Sequence, residues 1–136
     1  MNLVEKLLAV DKEEFDKIEK KEIVSRQLSR LTGEEDTKII IQAIDGDLFG
    51  SLSGSGLHNN GDVDYEKLFS ANAKIAAAGI VEPNLKDETL LKHIGVATPA
   101  EAAKKIFKGE VNKISDEISR LSGFLDEDET EKEVKN

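Results

Sequence analysis

Residues 22–44 read EIVSRQLSRLTGEEDTKIIIQAI, and the reading of the first ten decides whether the chain opens on a helix or on a sheet. Read as a helix, Ile23, Val24, Gln27, Leu28 and Leu31 gather on one face, and Gly33 supplies the C-terminal stop. Read as a strand, Val24 and Leu28 face inward, Arg26 and Arg30 snorkel on the same side, and Thr32–Asp36 forms the turn. The second half is less ambiguous. Ile39, Ile40 and Ile41 are β-branched, which crowds a helix and suits a pleated strand, so Thr37–Ile44 reads as β. A lone strand is unstable and needs a partner. That need favours a β-hairpin over residues 22–44, with both readings of residues 22–31 still open.

Upstream, Leu3, Val4, Leu7 and Leu8 make one stripe of a two-turn amphipathic helix that requires a partner surface. Between Asp11 and Lys21 charges dominate, and Phe15 and Ile18 are the two apolar anchors by which this stretch would dock. Downstream, Gly50–Asp62 holds four glycines among Ser and Asn and reads as a flexible loop. The rest is helical. Asp64 caps a helix with Leu68, Ala71, Ile75 and Ala78/Gly79 at helical spacing. Lys86–Ile94, with Leu90, Leu91 and Ile94 inward, closes at Gly95. Thr98–Pro99–Ala100–Glu101 starts a helix that runs to Phe107 and stops at Gly109. The last helix begins at Glu110 and presents Val111, Ile114, Ile118 and Leu121 before Gly123. The expected fold is α+β and mostly α-helical: an N-terminal β-hairpin, then a compact bundle of four to five short helices over residues 64–124. Residues 1–124 form one domain, and residues 125–136 an acidic disordered tail.

Composition narrows the function. The 136 residues suit one domain, and with 38% hydrophobic and only 4% aromatic residues the core must be aliphatic. A net charge of −9 repels phosphate backbones and anionic lipid, so neither nucleic acid nor membrane is an expected partner. Part of that charge sits in the tail: Asp126–Asn136 carries six acids against Lys132 and Lys135, too polar to bury its own ordering cost. Cysteine is absent, which removes disulfides, thiolate zinc sites and cysteine nucleophiles. No apolar run approaches the roughly 18 residues of a membrane span, and Glu5 and Lys6 interrupt the start as a secretory signal would not.

The chemical motifs fail on their spacing. Gly56-x-x-x-x-Gly61 precedes Asp62 where a phosphate loop needs Lys. Asp45-x-Asp47 and Asp62-x-Asp64-x-Glu66 lack the sixth-position Gly or the twelfth-position Glu of a calcium loop, so capping and solvation explain these acids better. His58 and His93 lie in separate segments without metal-ligand spacing, and no serine stands on a nucleophile elbow. No catalytic, metal or cofactor residue is expected, and an enzyme ranks last among the readings.

One resemblance remains. Gly79–Asp87 (GIVEPNLKD), Leu91–Pro99 (LKHIGVATP), Ile106–Glu110 (IFKGE) and Ile118–Phe124 (ISRLSGF), in that order and spacing, resemble bacteriophage tail assembly chaperones of the XkdN-like kind. Ser25–Arg30 followed by Gly33–Glu34 and the β-branched run resembles that family's opening hairpin. The resemblance implies a non-enzymatic morphogenesis factor in the bacterial host cytoplasm, absent from the mature virion. Such a factor binds the phage tape measure protein, keeps it soluble and supports tail tube assembly. It also implies contact with tail tube protein through a frameshifted longer product, and it is compatible with a homo-oligomer. A helical client requires an apolar stripe that the chaperone's own core does not consume. Leu3, Leu7 and Leu8 in the first helix and Ile114, Ile118, Leu121 and Phe124 in the last are the candidates, against the plainer reading that both stripes are core. The alternative function is a small structural component of the tail or virion.

Overall fold

A computed structural model of the chain describes residues 2–53 and 64–125. In chain order the elements are α1 (Leu3–Leu8), α2 (Lys12–Phe15), β1 (Lys20–Val24), α3 (Arg26–Thr32), β2 (Lys38–Gln42) and α4 (Gly46–Ser53). They continue with α5 (Tyr65–Gly79), β3 (Ile80–Glu82), α6 (Glu88–Ile94), α7 (Pro99–Phe107) and α8 (Glu110–Leu121). The fold is α+β and mostly helical.

The ambiguous stretch resolves as both readings in succession. β1 and β2 pair antiparallel, Ile23 opposite Ile39 and Lys21 opposite Ile41, so the expected pairing is present. The strand, however, stops at Val24, and Arg26–Thr32 is helical, which corrects the preference for strand through residue 31. Two caps force the change. The Ser25 side chain accepts a hydrogen bond from the Leu28 N–H at 3.1 Å, and Gly33 closes the helix at φ +76°, a left-handed conformation that glycine adopts without steric cost. The third contribution comes from 85 residues away: the Glu110 carboxylate accepts from Ser25 Oγ (2.8 Å), Arg26 N (3.0 Å) and Gln27 N (3.1 Å). An acid at a helix start satisfies orphan N–H groups and favours the positive end of the helix dipole. Glu110 also opens α8, so one carboxylate ties two helices together.

Two further elements depart from expectation. Gly46–Ser53 forms α4, started by Asp45, whose Oδ1 accepts from the Leu48 N–H at 2.7 Å; the expected loop therefore begins at least four residues later than Gly50, and its residues 54–62 lie outside the described ones. Ile80–Glu82, to which the sequence reading gave no strand, adds a third one. The sheet order is β1-β2-β3, with Ile41 opposite Ile80, Ile40 opposite Glu82 and an irregularity between. The acidic tail from Asp126 onward also lies outside the described residues.

The core lies where the sheet meets α5, α7 and α8. Ile39 and Ile41 of β2, Ile75 of α5, Phe107 of α7 and Ile118 of α8 are its larger members. Small residues set the helix spacing: Ala73 and Ala76 on α5 and Ala102 and Ala103 on α7 are fully buried. At Gly79 a Cβ would stand 2.5 Å from Ile118 Cδ1 and 2.8 Å from Cγ1 and Cγ2, so only glycine lets α5 end against α8. The recurrent pieces of the sequence act as punctuation. Thr98 Oγ1 accepts from Glu101 N (3.2 Å) while Glu101 accepts from Ala97 N (3.1 Å). At the far end of α8, Gly123 N donates to Arg120 O (3.0 Å) and Phe124 N to Ser119 O (2.8 Å), the paired bonds of a Schellman ending.

Candidate partner-binding surface

The seven residues named as partner-binding candidates part into three groups. Ile114 and Ile118 are buried in the core beside Val111, so the α8 stripe is not available to a partner while the fold is intact. This corrects their candidacy, and the reason is α5, whose small residues bring it onto that face. Leu121 is half-buried against the same core. Phe124, 39% exposed, stacks on Phe49 with ring centroids 4.4 Å apart, while Ser122 Oγ accepts from Ile44 N at 2.9 Å. The Ser122–Gly123–Phe124 piece thus fastens the start of α4 and leaves one edge of an aromatic pair at the surface.

Leu3, Leu7 and Leu8 are the opposite case. With Val4 they are 55% to 80% exposed, and no residue of α1 is buried. The helix is nonetheless defined by its own sequence: Asn2 Oδ1 accepts from Glu5 N (2.9 Å) and Glu5 Oε2 accepts from Asn2 N (3.3 Å), a complete capping box. A helix of six residues gains little stability in isolation, and α1 keeps its apolar face uncovered. The four residues, at i, i+1, i+4 and i+5, share one side of two adjacent turns.

Phe15 and Ile18 also depart from expectation. Both remain more than half exposed, so they do not anchor their segment as the sequence implied. Together with Ile44, Leu48 and Ala78 they line an open groove of about 430 Å³, rimmed by Asp16, Lys17 and Asp45. Sequence reasoning missed this groove because its walls come from segments about 30 residues apart, and periodicity within one segment carries no sign of the other.

The polar interior is structural throughout. Among the described residues Ser25, Ser115 and Ser119 are the buried polar side chains; Ser115 Oγ donates to Asn72 Oδ1 (2.9 Å) and Ser119 Oγ to Ser115 O (2.8 Å). Among the described residues no buried side-chain nitrogen or oxygen lacks a partner, and no group of three His, Asp or Glu could hold a metal ion. His93 is an exposed residue in the last turn of α6, and Asp45 and Asp64 act as helix caps, as their spacing implied. No helix among the described residues is long and apolar enough to cross a membrane.

Comparison with known proteins assigns the fold and the family. The chain is similar to the crystal structure of the protein yqbn, a structural genomics target, at 21% identity and a TM-score of 0.55. The likeness covers 79% of this chain and 87% of that one and establishes a shared fold. No functionally curated protein matches significantly. The sequence profile of the phage XkdN-like tail assembly chaperones (TAC) matches residues 4–135, nearly the whole length, with the caps from Ser25 to Thr98, the Gly79 contact and the Ser122–Phe124 ending inside it. The chain belongs to the XkdN-like family of phage tail assembly chaperones.

Proposed function

We propose that this protein binds the phage tape measure protein, keeps it soluble and supports tail tube assembly, acting in the host cytoplasm and leaving before the tail is complete. The observation that carries the reading is the uncovered stripe Leu3, Val4, Leu7 and Leu8 on a capped helix, in a chain of the tail assembly chaperone family. A long helical client offers repeated apolar stripes, and a short amphipathic helix on each chaperone copy can pair with them by the same side-chain spacing. Leu121 and the exposed edge of Phe124 are secondary contacts. Tail tube protein is a further partner, reached through a longer frameshifted product extended beyond residue 124. The six acids of Asp126–Asn136 act in this reading by self-repulsion, keeping a loaded complex from associating with others.

The test is co-expression with the tape measure protein of the same phage, followed by affinity purification and light scattering. A soluble client carrying several copies of this chain is the expected result. An insoluble, unbound client, with this chain instead recovered in purified particles, would move the virion-component alternative to the front.

A further inference from the structure

The chain carries an uncovered apolar helix at its N-terminal end and an open groove that residues 15–18 form with residues 42–48 and 78. The helix is α1, with Leu3, Val4, Leu7 and Leu8 exposed; the groove is the one walled by Phe15 and Ile18 on one side and Ile44 and Leu48 on the other. We infer that in the absence of client two copies of this chain exchange α1 reciprocally, each helix lying in the other copy's groove. The inference goes beyond the client-binding reading and requires no client.

Area favours the reciprocal arrangement. Covering one Leu, Ile or Phe side chain removes on the order of 100 Å² of apolar surface from water. One α1 in one groove covers too little to hold two proteins together. Two such contacts, made at once, reach on the order of 1,000 Å², the lower bound for a specific interface. Reciprocity also needs the helix and the groove to be close on the same molecule, because a two-fold contact uses one self-complementary patch. They are close: the groove wall begins at Phe15, seven residues after Leu8. In the structure α1, linked to α2 by Ala9–Asp11, is not folded onto this groove: its four apolar residues stay exposed.

The exchange also assigns a physical role to the exposed stripe before client is present. An uncovered apolar patch invites aggregation; a partner copy covers it and yields it when a better-matched helix arrives.

Light scattering across a hundredfold range of protein concentration reads the mass directly. The wild-type chain is expected at twice its 14.9 kDa, and Leu7→Asp or Ile18→Asp, both at exposed positions, is expected at 14.9 kDa with an unchanged far-UV circular dichroism spectrum. A wild-type monomer at every concentration overturns the inference. So does a mass that climbs past the dimer, because that is an open chain rather than a closed exchange. Since the chain has no cysteine, a Leu7→Cys/Leu48→Cys double variant reports the path of the helix under mild oxidation. A covalent dimer supports exchange; a covalent monomer means that α1 folds back on its own groove and contradicts it. Neither experiment contains client, so their failure leaves the client-binding reading standing.

Discussion

The N-terminal arm, residues 2–19, and the helical body, residues 64–124, use similar amphipathic stripes to opposite ends. In the body, Val111, Ile114 and Ile118 are buried because α5 presents alanines and a glycine that allow close approach. In the arm, Leu3, Val4, Leu7 and Leu8 have equally regular spacing and meet nothing that buries them. Amphipathicity alone therefore does not tell core from interface. What separates them is the complementary small-residue surface, present for α8 and absent for α1.

That contrast is broken most severely at its most buried point. Ile118→Asp places a carboxylate at a position with no solvent exposure, and the cost of desolvating it exceeds what a domain with about 5–15 kcal/mol of stability can absorb. Circular dichroism should show no cooperative transition. Gly79→Ala tests the close approach itself. A methyl group meets three Ile118 atoms on both sides of its branched Cβ, so rotation offers no escape, and a loss of about 1–3 kcal/mol is expected as a lowered melting temperature. Unchanged stability in this variant would show that α5 and α8 pack more loosely than described.

The α3 start is next in size. Glu110→Ala leaves Ser25 Oγ and two backbone N–H groups without their acceptor and should cost about 1–3 kcal/mol. Ser25→Ala should cost about 1 kcal/mol as a lost cap. Because the two side chains share a bond, the double variant should lose less than the sum, which denaturant unfolding of the four proteins measures. The smallest effect belongs to Lys21→Ala: its 3.0 Å pair with Glu117 is solvent-accessible on the lysine side, and the change should stay within about 0.5 kcal/mol.

Much of this fold is legible in the sequence because helix ends are local. Asp64, Thr98–Pro99, Gly33, Gly95 and Gly123 each mark a boundary within a residue or two, since a cap involves only the next few backbone groups. The illegible parts depend on distant residues. β3 has three residues and exists because Ile80 finds Ile41 across the chain. The switch from strand to helix at Ser25 draws on Glu110 as well as on the local caps, and no local window contains Glu110. α4 was hidden by its glycines, and is held by Asp45 on one side and by Phe124 against Phe49 on the other. Of the candidate surface, the α1 stripe could be named from spacing, but not separated from the α8 stripe. That separation needed the identity of the neighbour, and the groove beside Phe15 needed the fold.

The central claim is that α1 is an interaction helix and not part of the fold. Leu7→Asp against the wild-type chain, each co-expressed with the tape measure protein, tests it most directly. The account predicts the same melting temperature for both chains when each is diluted to the monomer, within the roughly ±0.5 kcal/mol usual for surface changes, and loss of soluble, co-purifying client with the variant alone. A variant that melts early, or one that still holds the client as the wild type does, would contradict it.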